Sequence, residues 1–285
     1  MIHSSKFKKE LDLVITNAVR EDVGTGDHSS LACIPENAKG KAKLLVKDKG
    51  ILAGVEFAKK VFEYIDPNLK MEIFIKDGEP VEKGEVAFHV SGNSQSILKA
   101  ERLALNGMQR MSAIATKTHK FVEVLYGTET KILDTRKTTP GIRVLEKWAV
   151  KIGGGENHRW GLDDMIMLKD NHIDFAGGIT PAIEKTKAYL KENQLDLKII
   201  LEARNLKEIE TILESEGVYR ILIDNFDYET TKKAVRLIDG KCLTESSGGI
   251  TLETAKAYAE CGVDFISSGS LTHSVHNMDL SLKAM

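Results

Sequence analysis

Three separate stretches of the sequence contain residue types that are suited to binding anions. Arg136 and Lys137 stand in "DTRKTTPG", His158 and Arg159 in "GGGENHRWGL", and Lys169 in "MIMLKDNHI". The planar guanidinium of arginine donates two parallel hydrogen bonds to a carboxylate, whereas lysine acts as a compact charge. Taken singly, each of these residues is an ordinary surface charge. If the fold brings them together, they can bind a small dianion such as a dicarboxylate.

The first stretch also has a structural interpretation. Asp134 can form a salt bridge with Arg136 or Lys137, and Pro140 suits the first turn of a helix. The N-terminus of a helix attracts anions, so two cations just ahead of it indicate that an anionic ligand comes from outside. For this pair of residues alone, both interpretations stay open.

Two later stretches, "ESSGGIT" and "SSGSLTHS", have the composition of phosphate-binding loops. Serine and glycine between a strand and a helix leave backbone N–H groups available to surround a phosphate. Glu202 and Asp224 precede these loops, where carboxylates can hold ribose hydroxyls, a magnesium ion or a developing positive charge. For Asp224, capping of the following helix is the alternative.

The elements that position these residues alternate between strands and amphipathic helices from about residue 126 onward. Apolar segments predict strands at "KILD" (131–134), "MIML" (165–168), "LKIILE" (197–202), "RILID" (220–224), "CLTE" (242–245) and "DFIS" (264–267). This alternation indicates parallel strands with right-handed crossovers, in a closed barrel or an open doubly wound sheet. Because reactive side chains follow the strands, and a barrel gathers strand ends at one mouth, we favour the barrel.

The residues before about 113 follow a different pattern. Alternating strand segments surround one helical segment, "VEFAKKVFEYI", and predict a separate α+β unit. A long helix over roughly 96–125 joins this unit to the barrel, with an apolar stripe formed by Ala104, Met108, Met111, Ala115 and Val122. From periodicity alone, its other side is a solvated face that carries Arg102, Asn106, Gln109 and Thr116.

Composition excludes several classes of protein. The 285 residues allow one large domain or two unequal ones, and the net charge of −2 argues against a general nucleic-acid or membrane-surface binder. Three scattered cysteines do not form a disulfide framework. No segment approaches the roughly 20 apolar residues of a membrane span, and the start lacks the apolar block of a signal peptide. We therefore expect a cytoplasmic protein.

With these residues assembled, the chain resembles the quinolinate phosphoribosyltransferases, also called carboxylating nicotinate-nucleotide pyrophosphorylases. The likeness runs nearly end to end and includes "EDVGTGD", "ERLALNGMQRMSAIAT", "ILIDNF" and "GVDFISSGSLTHS", in the order of the family. The combination of "DTRKTTPG", "NHRWGL" and "KDNHI" is specific. The resemblance implies an irregular α/β barrel with an N-terminal α/β sandwich domain. We place the sandwich and the start of the linker helix at 1–113, and the barrel at 114–285.

The activity implied by the resemblance is that of a pentosyltransferase, a carboxylating nicotinate-nucleotide diphosphorylase of NAD biosynthesis. It transfers phosphoribosyl from phosphoribosyl pyrophosphate to quinolinate and yields nicotinate mononucleotide, pyrophosphate and carbon dioxide. Magnesium is expected on the pyrophosphate, with no protein ligands assigned. A homodimer is expected to share its active sites, because Arg102 of one subunit would act in the other. No nucleic acid or membrane partner is expected.

The resemblance also assigns site residues. The quinolinate carboxylates would be bound by Arg102, Arg136, His158, Arg159 and Lys169. Phosphoribosyl pyrophosphate would be bound by Lys137, Glu202, Asp224, Ser247, Gly248, Gly249, Ser268, Gly269 and Ser270. Among these, the residues assigned to catalysis are Lys137, Glu202 and Asp224.

Two alternatives remain at this point. A related phosphoribosyltransferase of the same fold could act on nicotinate or another small acid, but nicotinate has only one carboxylate to bind, so Arg159 and Lys169 together count against it. A non-catalytic ligand sensor is the second alternative, although such a protein has little reason to combine Lys137, Glu202 and Asp224.

Overall fold

The structure is a computed structural model that describes residues 4–285. Its elements in chain order are α1 (Ser5–Val23), α2 (His28–Cys33), β1 (Lys39–Val46), β2 (Gly50–Ile51), α3 (Val55–Ile65), β3 (Lys70–Ile73), β4 (Pro80–Val81), β5 (Val86–Asn93), α4 (Ser94–Val124), β6 (Lys131–Leu133), α5 (Arg143–Ile152), β7 (Ile166–Leu168), α6 (Asp170–Ala176), α7 (Ile179–Glu192), β8 (Ile199–Ala203), α8 (Leu206–Leu213), β9 (Val218–Asp224), α9 (Tyr228–Ile238), β10 (Leu243–Ser247), α10 (Leu252–Ala259), β11 (Phe265–Ser267), α11 (Ser270–His273) and β12 (Leu280–Ala284).

The chain divides into two compact units. Of the described residues, unit 1 comprises 4–119, 138–154 and 271–285, and unit 2 comprises 120–137 and 155–270. The division is by spatial contact, so unit 1 is discontinuous in sequence. The domain boundary at 113/114 that the sequence predicts stays a prediction. None of the helices within residues 4–285 combines the length and the apolar character that crossing a bilayer demands.

Unit 1 contains an antiparallel sheet of four strands in the order β12-β1-β5-β3. Along β1 the side chains of Ala42, Leu44 and Val46 are buried, as expected for a strand with one face toward a core. On the same core, the ring of Phe88 in β5 meets that of Phe62 in α3 edge to face at 6.2 Å. The sheet with its helices is the N-terminal sandwich that the sequence predicts.

Helix α4 confirms most of the predicted stripe. Its buried residues include Ala104, Met108, Met111 and Ala115, whereas Val122 is only half-buried. The prediction of a solvated opposite face is wrong for two residues. Gln109 Nε2 donates to Leu280 O at 3.0 Å, and Thr116 Oγ1 accepts a hydrogen bond from the backbone of Ile51 at 2.9 Å. Both side chains bind strand ends, a use of polar residues that helical periodicity does not reveal.

The predicted helix start at Pro140 is also wrong. Pro140 lies in a turn, and α5 begins at Arg143. The turn is held by Glu146, whose buried carboxylate accepts hydrogen bonds from the backbone N–H of Thr139 at 2.9 Å and from Arg110 Nε at 3.0 Å. The cations of "DTRK" therefore do not directly precede a helix, and the argument from its dipole does not apply to them.

Unit 2 is built around a six-stranded sheet in the order β6-β11-β10-β9-β8-β7. Every pairing is parallel, and at least one helix lies between each two successive strands from β6 to β11, so the predicted βα alternation and the α/β fold class are confirmed. A single parallel bridge between Leu133 and Glu156 adds an irregular segment beside β6. The core strands are strongly apolar. Three consecutive residues of β9, Ile221 to Ile223, are buried, as expected where both faces of a parallel sheet are covered.

Candidate active site

Arg136 and Arg159 form the first group of predicted site residues. Arg136 follows β6 and is half-buried, and its Nε atom is buried without a hydrogen-bond partner among residues 4–285. Burial lowers the pKa of Arg159, and the positive charge of Arg136 lowers it further, although Asp164 opposes this. The two guanidinium groups therefore lie close enough to repel each other. An anion placed between them would relieve this repulsion and supply the missing hydrogen-bond acceptor.

Asp134 joins the two segments that carry these arginines. Its carboxylate is fully buried and accepts hydrogen bonds from Asn157 Nδ2 at 2.6 Å and from the backbone N–H of His158 at 2.9 Å. The backbone of Asp134 also donates to Glu156 O at 3.2 Å. The end of β6 and the loop that follows the glycine run are thus fixed to each other, which explains how residues far apart in sequence bring their positive charges together.

His158 is a buried residue that lies beside Glu245. Its Nδ1 atom accepts the backbone N–H of Arg159 at 2.7 Å, and its Nε2 atom lies 3.3 Å from Glu245 Oε2. Arg220 Nη1 donates to the same oxygen of Glu245 at 2.7 Å. The sequence reasoning missed Glu245 and Arg220. The strand pattern contained a signal for both residues. Glu245 lies two residues before Ser247 and therefore on the same face of β10, and Arg220 lies on the same face of β9 as Asp224.

The second group lies around Glu202 at the end of β8. Lys169 Nζ is 3.5 Å from Glu202 Oε2, and Glu202 is only 8% exposed. Burial raises the pKa of Glu202, and the negative charges of Asp224 and Asp170 raise it further, whereas Lys169 lowers it. Glu202 therefore has one lysine and two further carboxylates in its neighbourhood. Asp170, the residue after Lys169, had no assigned role in the sequence reasoning.

Asp224 ends β9 and is oriented by its neighbour. Asn225 Nδ2 donates to Asp224 Oδ2 at 2.7 Å, and the backbone N–H of Asn225 donates to Ser247 O at 2.9 Å. The alternative role of Asp224 as a helix cap is wrong, because Asp227 caps α9 by accepting a hydrogen bond from the backbone of Thr230. The carboxylate of Asp224 is consequently available to the site.

The predicted phosphate loops are joined to each other. Gly248 has a φ of +98°, and a Cβ atom there would lie 2.1 Å from Asn225 Oδ1, so only glycine fits. Ser268 Oγ donates to Ile250 O at 3.1 Å and lies 2.9 Å from Ser270 Oγ. The loop after β11 is thus anchored on the loop after β10, and both lie at the carboxyl ends of adjacent strands.

Comparisons with known proteins decide the family. The model of "Quinolinate phosphoribosyl transferase, C-terminal domain" matches residues 114–283, and that of "Quinolinate phosphoribosyl transferase, N-terminal domain" matches residues 27–112. The chain belongs to the quinolinate phosphoribosyltransferase family. The resemblance recognised in the sequence is therefore confirmed.

Individual relatives agree with this family. The chain is 46% identical to a chloroplastic nicotinate-nucleotide pyrophosphorylase (carboxylating) of Arabidopsis thaliana, over 96% of this chain and 82% of that protein. It is 40% identical to the probable nicotinate-nucleotide pyrophosphorylase (carboxylating) of Bacillus subtilis, over 96% of this chain and 93% of that protein. The crystal structure of NadC from Streptococcus pyogenes superposes with a TM-score of 0.90 at 37% identity, covering 97% of each chain. These matches confirm the predicted fold of a quinolinate phosphoribosyltransferase.

Most of the site residues predicted for this quinolinate phosphoribosyltransferase lie in unit 2, at the carboxyl ends of its strands. The structure places Arg136 near Arg159, Lys169 beside Glu202, and Asp224 near Glu202. The side chain of Lys137 is exposed, with its backbone N–H donating to Thr135 Oγ1 at 3.0 Å. Arg102 lies in unit 1 on the exposed side of α4, and its role stays a prediction.

The donor set at this site fits magnesium only in part. Glu202, Asp224 and Asp170 create a concentration of negative charge that attracts a divalent cation. Within residues 4–285, however, no three histidine, cysteine, aspartate or glutamate side chains are arranged to hold a metal ion. Such a set suits an ion that substrate phosphates carry into the site, since magnesium keeps many of its ligands from water and phosphate.

Proposed function

We propose that this protein transfers phosphoribosyl from phosphoribosyl pyrophosphate to the ring nitrogen of quinolinate. The products are nicotinate mononucleotide, pyrophosphate and carbon dioxide, and the reaction belongs to NAD biosynthesis. The observation that carries the proposal is the proximity of Arg136 and Arg159, two like charges of which one has an unpartnered buried Nε. Membership of the quinolinate phosphoribosyltransferase family supports it.

Quinolinate supplies the negative charge that the surroundings of Arg136 and Arg159 lack. Arg136, Arg159 and Lys169 bind the two ring carboxylates, with the arginines donating paired hydrogen bonds. The family resemblance adds His158 and Arg102 as ligands of the same substrate. Lys169 already contacts Glu202 at 3.5 Å, so the carboxylate nearest to this lysine is adjacent to the carboxylates that face the ribose.

Glu202 and Asp224 act on the sugar. As the bond from C1′ to pyrophosphate breaks, C1′ gains oxocarbenium character, and these two carboxylates stabilise the positive charge electrostatically. The attacking group is the ring nitrogen of quinolinate, so the chain supplies no nucleophile. Serine hydroxyls and backbone N–H groups of 247–249 and 268–270 hold the 5′-phosphate, and Lys137 meets the pyrophosphate. A magnesium ion bound to the pyrophosphate would neutralise the charge of this leaving group.

The same arrangement suits the decarboxylation. Once the ring nitrogen carries the sugar, the pyridinium accepts the electron pair that the neighbouring carboxylate releases as carbon dioxide. A cation that fully neutralised this carboxylate would oppose its loss, because it would stabilise the ground state. Lys169 shares its charge with Glu202, so it orients a substrate carboxylate while holding it less strongly than an unpaired lysine would.

A turnover assay tests this function against its two alternatives. The protein, phosphoribosyl pyrophosphate and magnesium are incubated with carboxyl-labelled quinolinate, and release of labelled carbon dioxide is followed together with nicotinate mononucleotide. We expect equimolar release of both, dependent on phosphoribosyl pyrophosphate. Nucleotide formation from nicotinate but not quinolinate would favour the related phosphoribosyltransferase, and binding without turnover would favour the sensor.

The proposal includes a cytoplasmic homodimer in which Arg102 completes the site of the other subunit. The Arabidopsis relative, by contrast, is a chloroplastic protein. The shared site can be tested by mixing an inactive Arg102→Ala protein with an inactive Arg136→Ala protein. Mixed dimers would contain one intact site and recover activity. Absence of recovery, despite measured subunit exchange, would exclude a role for Arg102 across subunits.

A further inference from the structure

Asn225 lies between the two parts of the predicted phosphoribosyl site. It follows Asp224 at the end of β9, and its backbone N–H donates to Ser247 O at 2.9 Å in the neighbouring strand. A Cβ atom at Gly248 would lie 2.1 Å from Asn225 Oδ1, so the amide of Asn225 packs closely against this glycine. The residue therefore contacts both the strand end that carries a sugar-binding carboxylate and the first predicted phosphate loop.

The side chain of Asn225 donates a hydrogen bond to Asp224. Asn225 Nδ2 lies 2.7 Å from Asp224 Oδ2. An ionised carboxylate only accepts hydrogen bonds, so the NH2 group of the amide, and not its oxygen, must face Asp224. This bond occupies Oδ2 and leaves Oδ1 of Asp224 for the substrate. Within residues 4–285, it is also the one hydrogen bond that the Asp224 carboxylate accepts.

Asp224 needs this support because it lies near a like charge. Its negative charge raises the pKa of Glu202, so the two carboxylates repel each other. Glu202 has Lys169 beside it at 3.5 Å, whereas Asn225 is the one hydrogen-bond donor to the Asp224 carboxylate in the part of the chain that the structure describes. Without this amide, the half-buried side chain of Asp224 would turn away from Glu202, and the two carboxylates would no longer face the same sugar carbon.

A role as an ordinary turn residue would explain the backbone of Asn225 but not its side chain. Its φ is +57°, in the left-handed region that asparagine adopts more readily than most residues. Gln194 has a similar φ of +54° in an exposed turn after α7. Asparagine in turns typically bonds nearby backbone groups with its side chain, whereas Asn225 bonds a carboxylate of the predicted site. The side chain of Asn225 is therefore used for the site and not for the turn.

We propose that Asn225 is a positioning residue that orients Asp224 toward the ribose of phosphoribosyl pyrophosphate. This role, which rests on the proposed function, belongs to a residue that the sequence reasoning left unassigned. Asn225 acts through Asp224 on the positive charge that develops at C1′. The backbone bond to Ser247 and the contact with Gly248 hold Asn225 in place. Loss of its side chain therefore lowers kcat and leaves the binding of quinolinate unchanged.

The decisive variant is Asn225→Gly. Glycine adopts a φ of +57° without strain and keeps the backbone bond to Ser247, so the melting temperature is expected to stay near that of the wild type. We expect kcat to fall about tenfold to hundredfold, because a small misplacement of a catalytic group has an effect of this size. The Kd of quinolinate, measured by calorimetry, should change less than about twofold. An unchanged kcat, or an equal loss of quinolinate binding, would overturn the proposal.

The variant Asn225→Asp keeps the shape of the side chain and tests the hydrogen-bond donor itself. Aspartate also tolerates a positive φ, but its carboxylate cannot donate to Asp224 and repels it. We expect kcat at neutral pH to fall at least as far as in Asn225→Gly. A role in the turn alone predicts that both variants behave as wild type, since both residues suit this backbone, and that result would overturn the proposal. Asn225→Asp provides this test even if Asn225→Gly does not fold.

A double-mutant cycle shows whether Asn225 acts through Asp224. In an Asp224→Ala background there is no carboxylate left to orient, so Asn225→Gly should lower kcat no further. A further drop of about tenfold would mean that Asn225 acts by another route and would overturn the proposal. The matched control is Gln194→Gly, which removes the side chain of another residue with a positive φ and should leave kcat and both affinities unchanged.

These outcomes are distinct from failure of the proposed function. If the wild-type protein releases no carbon dioxide from quinolinate and forms no nucleotide, the function is wrong. If the wild type turns over quinolinate and Asn225→Gly does so equally well, only the role of Asn225 is wrong.

Discussion

Arg136 and Arg159 form a positive side of the barrel mouth, where two like charges repel each other, whereas Asp224 and Asp170 add negative charge near Glu202 on a negative side, with Lys169 beside Glu202. Each side concentrates one sign, and each is costly in the absence of a ligand, because like charges repel. The contrast indicates a reaction between partners of opposite character. A dianionic ring fits the first side, and a sugar carbon that becomes positive fits the second. Four predictions test this division, ordered from the largest effect to the smallest.

Loss of the guanidinium of Arg159 should weaken the use of quinolinate without affecting the binding of phosphoribosyl pyrophosphate. We expect Arg159→Ala to lower kcat/KM for quinolinate by about 100-fold to 10,000-fold, since two charge-assisted hydrogen bonds of about 1.5–3 kcal/mol each are lost. The Kd of phosphoribosyl pyrophosphate, measured by calorimetry, should change less than about twofold. Arg204→Ala, an exposed arginine paired with Glu208, is the control and should behave as wild type. Equal losses for both substrates would break the proposed division.

Neutralising the negative side should slow the chemistry without weakening quinolinate binding. For Glu202→Gln we expect kcat to fall about 100-fold, the size typical of removing one electrostatic contact to the transition state. Lys169 would then be released from its contact at 3.5 Å, so the Kd of quinolinate should stay the same or decrease. Single-turnover kinetics and equilibrium titration separate the two quantities. Glu208→Gln serves as the control, and weaker quinolinate binding by Glu202→Gln would contradict the division.

The phosphate loops should respond independently of both sides. An alanine side chain at Gly248 would clash with Asn225 and has an unfavourable φ of +98°, so the loop must shift. We expect Gly248→Ala to raise KM for phosphoribosyl pyrophosphate about tenfold, with quinolinate Kd unchanged. Gly217→Ala is the matched control, because Gly217 has a φ of +93° but faces only the flexible side chain of Lys187. If KM for phosphoribosyl pyrophosphate rises equally in both variants, the rise is caused by backbone strain and not by the position of Gly248 in the loop.

The negative side should also set the acid limb of the pH profile. Burial and two neighbouring carboxylates raise the pKa of Glu202, and only its charged form stabilises the sugar. As the pH falls through this raised pKa, Glu202 gains a proton and kcat/KM for phosphoribosyl pyrophosphate decreases. The limb should therefore lie at a higher pH than for an ordinary glutamate, with little effect at neutral pH. If the Glu202→Gln variant showed the same acid limb, that limb would belong to another titrating group.

The sequence was sufficient for the elements of unit 2 but not for the contacts between them. All six strands of the barrel were predicted, because short apolar segments between amphipathic helices have few other interpretations. The alternation of strands and helices also predicted that the polar residues after these strands lie at one mouth of the barrel. The partnership between Lys169 and Glu202 could not, because the sequence separated them into a quinolinate set and a sugar set, and only coordinates give the distance of 3.5 Å.

The remaining errors have physical causes. Pro140 was placed in a helix, but a buried glutamate, Glu146, holds its segment in a turn, and such long-range hydrogen bonds leave no periodic signal. Glu245 was overlooked because a charged residue in a strand is usually exposed, whereas this one is buried against Arg220. Gln109 and Thr116 were assigned to a solvated face because a helical period does not show which neighbouring strand a polar side chain can reach.

Strand β12 has a consequence for synthesis of the chain. It pairs with β1, so that Val46 meets Leu280, and the first sheet obtains this neighbour only after every strand of the barrel has been translated. All six barrel strands lie between these partners in the sequence, so unit 2 can begin to fold on the ribosome while one edge of β1 still has unpaired N–H and C=O groups. An edge of this kind can pair with other chains. We therefore expect the period before β12 is synthesised to be the one in which nascent chains most readily aggregate.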